Sequence, residues 1–229
     1  MSNVISIISG HSVFNALEAS NISCASSTNI FKGCNISKVV FSDETTVVPS
    51  GLFNGARFYC EYDPETKDPI RGTGYNLVIP NHIQEVATNA FENSNLMYVT
   101  FEDTKAEPSA LASIGESAFY NCKYLEDVTF PLTVNVIDNN AFAKCIRFGK
   151  INIPNSVTTL GKGCFSESEQ VVELSLSNSV ANLGANTFMN CISLREVVVP
   201  GGITEISAGM FGGCASLESV SIPSTVKSI

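Results

Sequence analysis

A repeat with a fixed length of 23 residues is the sequence feature that most constrains the fold. Five phenylalanines follow one another at this interval: Phe119, Phe142, Phe165, Phe188 and Phe211. The position three residues after each phenylalanine is Cys in four of the copies and Ser168 in the third. Self-similarity at such a period is typical of solenoids, in which each coil buries its apolar face against its neighbours. The sequence therefore predicts a stack of short coils.

Each copy of the repeat contains a short strand followed by a return segment. Apolar and polar residues alternate towards the end of Leu125–Phe130, which indicates a strand with one buried face. Pro131 then ends the strand because proline cannot donate a ladder hydrogen bond. Ala118 and Phe119 are expected to begin a short helical or 3₁₀ turn that directs the ring into the core. Strands of successive coils can pair only with one another, which predicts a parallel sheet with about 4.8 Å per strand.

The repeat does not cover the chain uniformly, and its quality divides the chain into regions. Residues 1–30 do not fit the period, so we interpret them as an irregular N-terminal cap; a frayed segment is the alternative. Residues 31–229 are predicted to form the solenoid, with degenerate repeats over 31–76 and regular repeats over 77–229. The last repeat is incomplete. We expect one structural domain because stacked coils share a continuous core.

An insertion interrupts the second degenerate repeat, since Phe53 and Phe91 are 38 residues apart. The surplus falls within residues 61–75, where two Asp-Pro pairs and a Gly-Thr-Gly sequence are strong turn signals. We therefore predict a hairpin-like excursion from the coil. Aromatic residues in and beside it are candidate anchors for a partner: Phe58, Tyr59, Tyr62 and Tyr75. A tolerated surface insertion without a binding role is the alternative.

Composition and charge argue against several classes of protein. The net charge is −9, from 13 basic and 22 acidic residues, and no basic run is present, which argues against a nucleic-acid partner. No stretch reaches the ~18 apolar residues of a membrane-spanning helix. The first eight residues lack the basic region and the apolar length of a secretory signal. The chain is therefore interpreted either as cytoplasmic or as a fragment without its signal.

The residues that usually carry chemistry show no catalytic or metal-binding pattern. Four of the eight cysteines recur at one repeat position, as small buried core residues do. We interpret them as free thiols, although coils about 5 Å apart leave a disulfide as the alternative. Cys and His do not occur at zinc-ligand spacing, and His11 and His82 are not part of a nucleophile motif. The sequence predicts no catalytic residue, metal or cofactor.

The repeat positions combine into one string, Ile-Gly-x-x-Ala-Phe-x-x-Cys-x-x-Leu-x-x-Val-x-Ile-Pro-x-x-Val. Residues 114–134 read IGESAFYNCKYLEDVTFPLTV, and residues 206–226 read ISAGMFGGCASLESVSIPSTV. This string resembles the BspA-like, treponemal-type leucine-rich repeat family. The resemblance is specific over residues 77–229, weaker over 31–60 and absent over 1–30. It implies a mostly β, leucine-rich repeat solenoid of right-handed coils, with a parallel β-sheet on one face. Short 3₁₀ or helical turns and short strands are expected on the other face.

The resemblance also implies binding rather than catalysis. Members of the family are commonly surface or secreted proteins, and several resemble adhesins for host matrix proteins. By this resemblance the chain is a non-catalytic, protein-binding module of a cell-surface or secreted adhesin-like protein. Its implied partner is a host matrix or cell-surface protein. The alternative is an intracellular structural or scaffold protein that uses the same array within a larger assembly.

The outward face of the predicted sheet is the candidate surface for a protein partner. Its two outward positions in each regular coil are Asp127 and Thr129, Lys150 and Asn152, Glu173 and Ser175, Glu196 and Val198, and Ser219 and Ser221. The first column is mostly acidic and suits a basic or polar protein segment; a solvated face without a partner is the alternative. The open C-terminal end is a second candidate, for self-association, unless the chain is a fragment of a longer array.

Overall fold

A computed structural model describes residues 29–36, 39–41, 43–70 and 72–229 of the chain. It also gives the backbone of four N-terminal strands: Val4–Ile5 (β1), Ile8–Ser9 (β2), Ser12–Val13 (β3) and Leu17–Glu18 (β4). These pair antiparallel, β1 with β4 and β2 with β3. The predicted cap over residues 1–30 lies almost entirely outside the described residues.

The described chain from residue 29 onwards coils into a parallel β-solenoid with two columns of strands. The front face is formed by Asn35–Ile36 (β5), Arg57–Phe58 (β7), Asn76–Ile79 (β8), Tyr98–Phe101 (β10), Asp127–Thr129 (β12), Lys150–Asn152 (β14), Glu173–Ser175 (β16), Glu196–Val198 (β18) and Ser219–Ser221 (β19). The back sheet contains Val47–Val48 (β6), Glu85–Val86 (β9), Ser113–Ile114 (β11), Val136–Ile137 (β13), Thr159–Leu160 (β15) and Asn182–Leu183 (β17). Pairing in both columns is parallel, as predicted.

A continuous stack of phenylalanine rings forms the centre of the core. The stacked rings belong to Phe31, Phe53, Phe91, Phe119, Phe142, Phe165, Phe188 and Phe211, one for each coil. From Phe53 onwards neighbouring ring centroids are 5.0–5.9 Å apart and the rings lie within 9° of parallel. Six of these rings, Phe53 to Phe188, are fully buried. In the regular coils from Phe119 onwards, 23 residues therefore bring one ring above the next.

The segments around these phenylalanines are turns, and no helix occurs in the described part of the chain. Backbone N–H groups alternate between two acceptors: Ala118 donates to Gly115 within the coil, whereas Phe119 donates to Ala141 of the next coil. Consecutive i→i−3 bonds would continue a 3₁₀ helix, but here every second bond crosses to the neighbouring coil. The predicted solenoid fold is confirmed. In place of the expected helical turns, the turn segments of neighbouring coils are joined by a third ladder of hydrogen bonds, beside those of the front and back strands.

Two positions in each turn segment adopt a positive φ, which L-residues other than Asn, Asp and Gly rarely adopt. Two residues before the phenylalanine they are Ser117, Asn140, Gly163, Asn186 and Gly209, with φ of 53–65°. Two residues after it they are Asn121, Lys144, Glu167, Asn190 and Gly213, with φ of 58–74°. Asn and Gly predominate at both positions for this reason.

The insertion leaves the solenoid from the front face of the second coil. Strand β7 ends at Phe58, strand β8 resumes at Asn76, and the Tyr75 N–H donates to the Tyr59 carbonyl to close the base of the excursion. Within it, Tyr62 and Pro69 form an antiparallel bridge, which confirms the predicted hairpin. We call residues 61–75 the hairpin.

Candidate binding surface

The front face displays its outward side chains in two parallel columns. In the first column, the parallel register places Lys150 beside Glu173 and Glu196 beside Ser219. In the second column, it places Asn152 beside Ser175. All ten predicted outward residues are exposed: Asp127, Thr129, Lys150, Asn152, Glu173, Ser175, Glu196, Val198, Ser219 and Ser221. Of the residues between them, Val128, Ile151 and Val197 are buried, Leu174 is partly buried, and Val220 in the last strand is 38% exposed. The structure therefore brings these predicted residues together on one surface.

The charges of the first column do not contribute equally to its potential. Lys150 and Glu173 form an ion pair of 2.8 Å, with 67% and 64% of their side chains exposed. Such an exposed pair adds little to stability, but the two charges largely cancel at a distance. Asp127 lies on one side of this ion pair in the column and Glu196 lies on the other. Their two carboxylates keep the column acidic. In the second column Val198 is 68% exposed and adds an apolar contact area.

The aromatic residues in and beside the hairpin differ in exposure: Phe58 is buried, Tyr75 is partly buried, and two tyrosines are exposed. Phe58 is only 2% exposed, and its ring stacks on Tyr75 with centroids 5.7 Å apart. The Tyr75 hydroxyl accepts a hydrogen bond from the Val39 N–H at 2.9 Å. Phe58 was expected to be available to a partner; it is instead part of the core, because the last front-strand residue before the hairpin points inward. Tyr59 and Tyr62 are 61% and 47% exposed and are accessible to a partner.

The hairpin is held against the front side of later coils by a group of polar contacts. Tyr98 accepts a hydrogen bond from the Gly72 N–H at 3.0 Å, and Tyr124 donates to Asp68 at 3.3 Å. Arg147 donates to the Pro69 carbonyl at 3.1 Å, and its guanidinium lies 4.9 Å from the centroid of the Tyr124 ring. The hairpin therefore spans three coils beyond its own.

These docking residues were not found from the sequence. Arg147 and Pro69 are separated by 78 residues, and no local pattern couples positions so distant. A weak signal does exist, since Tyr124 and Arg147 occupy the same repeat position and are 23 residues apart. Partial burial raises the pKa of Tyr124, and the neighbouring Asp68 carboxylate raises it further. The hydroxyl therefore stays protonated and remains a donor at neutral pH.

Cysteines in the turn segments have a structural role. All seven described cysteines are free thiols. Cys122, Cys145, Cys191 and Cys214 each direct Sγ to the carbonyl of the phenylalanine one coil earlier, at 3.2–3.4 Å. Ser168 makes the same contact to Phe142 at 3.4 Å, which explains why serine is accepted there. Burial raises the pKa of both Cys122 and Cys191 to about 12, so these thiols are poor nucleophiles.

Other groups that could carry chemistry are sparse. His82 is partly exposed near the start of the return segment, while His11 lies outside the described residues. In the described part of the chain, no three side chains of the metal-ligating types come close enough to hold an ion. The same residues contain no helix of the length and apolar character needed to cross a bilayer.

Comparison with protein-family models finds a match to the BspA type leucine-rich repeat region, in six copies over residues 4–61, 74–112 and 112–229. The match begins within residues 1–30, so the prediction that the resemblance is absent there is wrong. No phenylalanine stands one period before Phe31, where the residue is Ile8, and a search based on the ring position misses this segment. The gap in the match coincides with the hairpin.

Solved structures with a similar fold include a T. pallidum leucine-rich repeat protein that is 25% identical, with a TM-score of 0.58, over 86% of this chain and 78% of that chain. A leucine-rich repeat protein from Eubacterium ventriosum is 16% identical, with a TM-score of 0.51, over 87% and 68% of the two chains. A leucine rich cell surface protein from Faecalibacterium prausnitzii is 23% identical, with a TM-score of 0.47, over 84% and 54%. Among curated proteins, none matches this chain.

Proposed function

Because this chain belongs to the BspA-type leucine-rich repeat family, we propose that it is a non-catalytic protein-binding module of a cell-surface or secreted adhesin-like protein. Its partner is a protein, by family analogy a host matrix or cell-surface protein. The binding surface consists of the two outward columns of the front face together with Tyr59, just before the hairpin, and Tyr62 within it.

The observation that carries this proposal is the regular exposure of the two columns over five successive coils. Strands about 4.8 Å apart give a surface roughly 19 Å long, enough for an extended segment of a partner. The main chain beneath these side chains is held in parallel strand pairs, so a partner binds without having to order that main chain. Asp127 and Glu196 favour a basic or polar segment, since complementary charge increases both association rate and specificity.

The test is a biosensor assay of the intact chain against a panel of purified extracellular-matrix and host cell-surface proteins. For a partner that binds, the double variant Asp127→Lys, Glu196→Lys should weaken binding by about tenfold or more, mainly through slower association. A matched control is Glu116→Lys, Glu205→Lys, which makes the same charge change at two exposed residues away from the front face. Equal weakening by both double variants would show that net charge, and not the front face, governs binding.

The alternative function, an intracellular scaffold, differs first in location. Brief protease treatment of intact cells of the source organism distinguishes the two. A surface module is cleaved while cytoplasmic proteins are untouched, whereas an intracellular scaffold survives until the cells are lysed. Cleavage of known surface proteins is the positive control. If this protein survives on intact cells while those proteins are cleaved, the adhesin-like assignment is overturned and the protein-binding assignment stays open.

A further inference from the structure

An open groove of about 720 Å³ lies between the hairpin and the first coils, on the front side of the molecule. It is separate from the acidic columns of the regular coils and uses other residues. Arg57 lines it from strand β7 and Lys67 from the tip of the hairpin. Tyr62 and Tyr124 line it with aromatic rings, and Asn35 lines it from strand β5.

The charge of the groove is opposite to that of the chain as a whole. The chain has 22 carboxylate side chains and 13 basic ones, yet the described residues that line the groove include two cations and no carboxylate. Arg57 and Lys67 form no ion pair with any carboxylate of the described residues. Asp68, which follows Lys67 in the chain, accepts a hydrogen bond from Tyr124, and the Lys67 ammonium donates to the Pro64 carbonyl. Neither Arg57 nor Lys67 is neutralised by an ion pair within the described residues, so the two cations favour an anionic group beside them.

The aromatic and amide groups of the groove suit a ligand with hydroxyl groups and an apolar ring face. The Tyr62 side chain is 47% exposed and borders the groove beside the cations. Tyrosine combines a flat apolar surface with a polar tip, which allows it to pack on a ring while its surroundings stay wet. Asn35 is exposed and its side-chain amide offers both donors and an acceptor to hydroxyl groups.

The main chain beside the groove is not available for pairing with a peptide strand. The Phe58 N–H donates to the Asn95 side-chain oxygen, and the Asn95 amide N–H donates to the Phe58 carbonyl at 3.0 Å. The same amide nitrogen also donates to the Tyr62 hydroxyl at 3.0 Å. An extended peptide that binds by strand addition needs free main-chain groups along an edge. At Phe58 both are already used, so this part of the groove recognises its ligand through side chains.

We propose that this groove binds a short saccharide that carries a carboxylate. Arg57 and Lys67 hold the carboxylate, the Tyr62 ring packs against the apolar face of a sugar ring, and Asn35 bonds to its hydroxyl groups. The net charge of −9 repels a long polyanion, which favours a short, weakly charged saccharide over a highly sulfated polymer. This site shares Tyr62 with the protein-binding surface proposed above but uses none of the residues in the two outward columns.

The test measures binding of an unsulfated tetrasaccharide of alternating glucuronic acid and N-acetylglucosamine to the intact chain, by calorimetry and by saturation-transfer NMR. The neutral tetramer of N-acetylglucosamine and a pentapeptide with two glutamates serve as comparison ligands. We expect the acidic tetrasaccharide to bind at least about tenfold more tightly than either, because a charge-assisted hydrogen bond contributes more than one decade of affinity.

Variants then locate the site. Arg57→Ala and Tyr62→Ala should each weaken binding of the tetrasaccharide by about tenfold, while Tyr62→Phe, which keeps the ring, should weaken it less. Arg195→Ala is the matched control, since it removes an exposed arginine at the start of strand β18, away from the groove. Unchanged circular dichroism confirms folding, because Arg57 and Tyr62 are exposed.

Three results would overturn the proposal. They are an absence of tetrasaccharide binding at millimolar concentration, an equal loss of binding in Arg57→Ala and Arg195→Ala, and preferential binding of the glutamate peptide. The last of these would assign the groove to an acidic peptide instead. None of them bears on the front-face assay, so each proposal can fail without the other.

Discussion

The regular coils and the interrupted coil reach the same core by different routes. Between Phe119 and Phe142 the chain uses 23 residues, and between Phe53 and Phe91 it uses 38. The ring centroids are nevertheless 5.0 Å apart in the first pair and 5.1 Å in the second. The additional residues leave the coil as a hairpin because closing a longer loop costs only a small amount of entropy. The position of the ring, and not the length of chain between rings, is conserved between the two regions.

The two regions differ in the groups that form hydrogen bonds with the main chain of the front strands. In the regular coils, β14 pairs with β16 through main-chain hydrogen bonds. In the interrupted coil, the Phe58 main chain is paired with the side chain of Asn95. At the point where the hairpin leaves the coil, the side-chain amide of Asn95 therefore forms the hydrogen bonds that a neighbouring strand would otherwise form with Phe58. The groove and the exposed tyrosines lie in or beside this hairpin, whereas the regular coils present the same two outward columns in every coil.

The largest expected effect tests whether both regions belong to one core. Phe142 and Phe53 each stack between two rings and are fully buried. Replacement of either by Ala should lower the free energy of unfolding by about 3–5 kcal/mol, measured by urea denaturation. Phe211→Ala is the control and should cost less, because that ring stacks on Phe188 alone in the described residues and is half-buried. A much smaller loss for Phe53→Ala would show that the interrupted coil unfolds separately.

A smaller, local effect is expected where the hairpin docks on the regular coils. Arg147→Ala removes the hydrogen bond to Pro69 and the contact with the Tyr124 ring, which together contribute about 2 kcal/mol. We expect hydrogen exchange of the Asp63 and Ile70 amides, which donate within the hairpin, to become at least about tenfold faster.

Lys144→Ala provides the control for this variant. It removes a partly exposed lysine from the turn that precedes Arg147, where the ammonium forms a 3.8 Å ion pair with Glu167 and lies 5.4 Å from the centroid of the Tyr120 ring. Neither contact involves the hairpin. Exposed ion pairs contribute about 0–1 kcal/mol, so exchange in the hairpin should be unchanged. If Arg147→Ala also leaves this exchange unchanged, the hairpin is stabilised by its own turns and not by docking.

The smallest effect concerns the positive-φ positions, which the regular coils fill mostly with Asn and Gly. Glu167 has φ of 59°, a conformation that Asn adopts at lower cost. Glu167→Asn should therefore raise the free energy of unfolding by about 0.5–1 kcal/mol, measured by urea denaturation. Glu169→Asn makes the same charge change at an exposed residue that is not among the positive-φ positions, and should have an effect below about 0.5 kcal/mol. Equal effects would mean that charge, and not backbone strain, matters here.

The sequence predicted the repeated architecture because each ring, strand and turn recurs at a fixed interval. The stack from Phe119 to Phe211, the parallel pairing and the outward residues from Asp127 to Ser221 all follow from that period. The hairpin could be predicted from its turn residues. The helical turns were not confirmed, because the local pattern does not reveal that alternate N–H groups bond to the next coil.

The glycines of the return segment show a similar limit. Gly161 and Gly184 each follow a back strand directly, yet neither has a positive φ. A Cβ on Gly161 would collide with the backbone of Asp138 and Asn139 in the preceding coil. Glycine is needed because two coils approach each other closely, and a spacing between coils cannot be read from a single repeat.

By itself, the sequence determined which side chains face inward, because burial of apolar residues at a constant period admits one stacked arrangement. Only the tertiary structure decided what the irregular segment does. It buried Phe58 and packed Tyr75 against it, left Tyr59 and Tyr62 exposed, and placed Arg57 and Lys67 on one groove. The reason is physical: these positions depend on contacts between residues as far apart as Pro69 and Arg147, and such contacts form only when the coils have stacked.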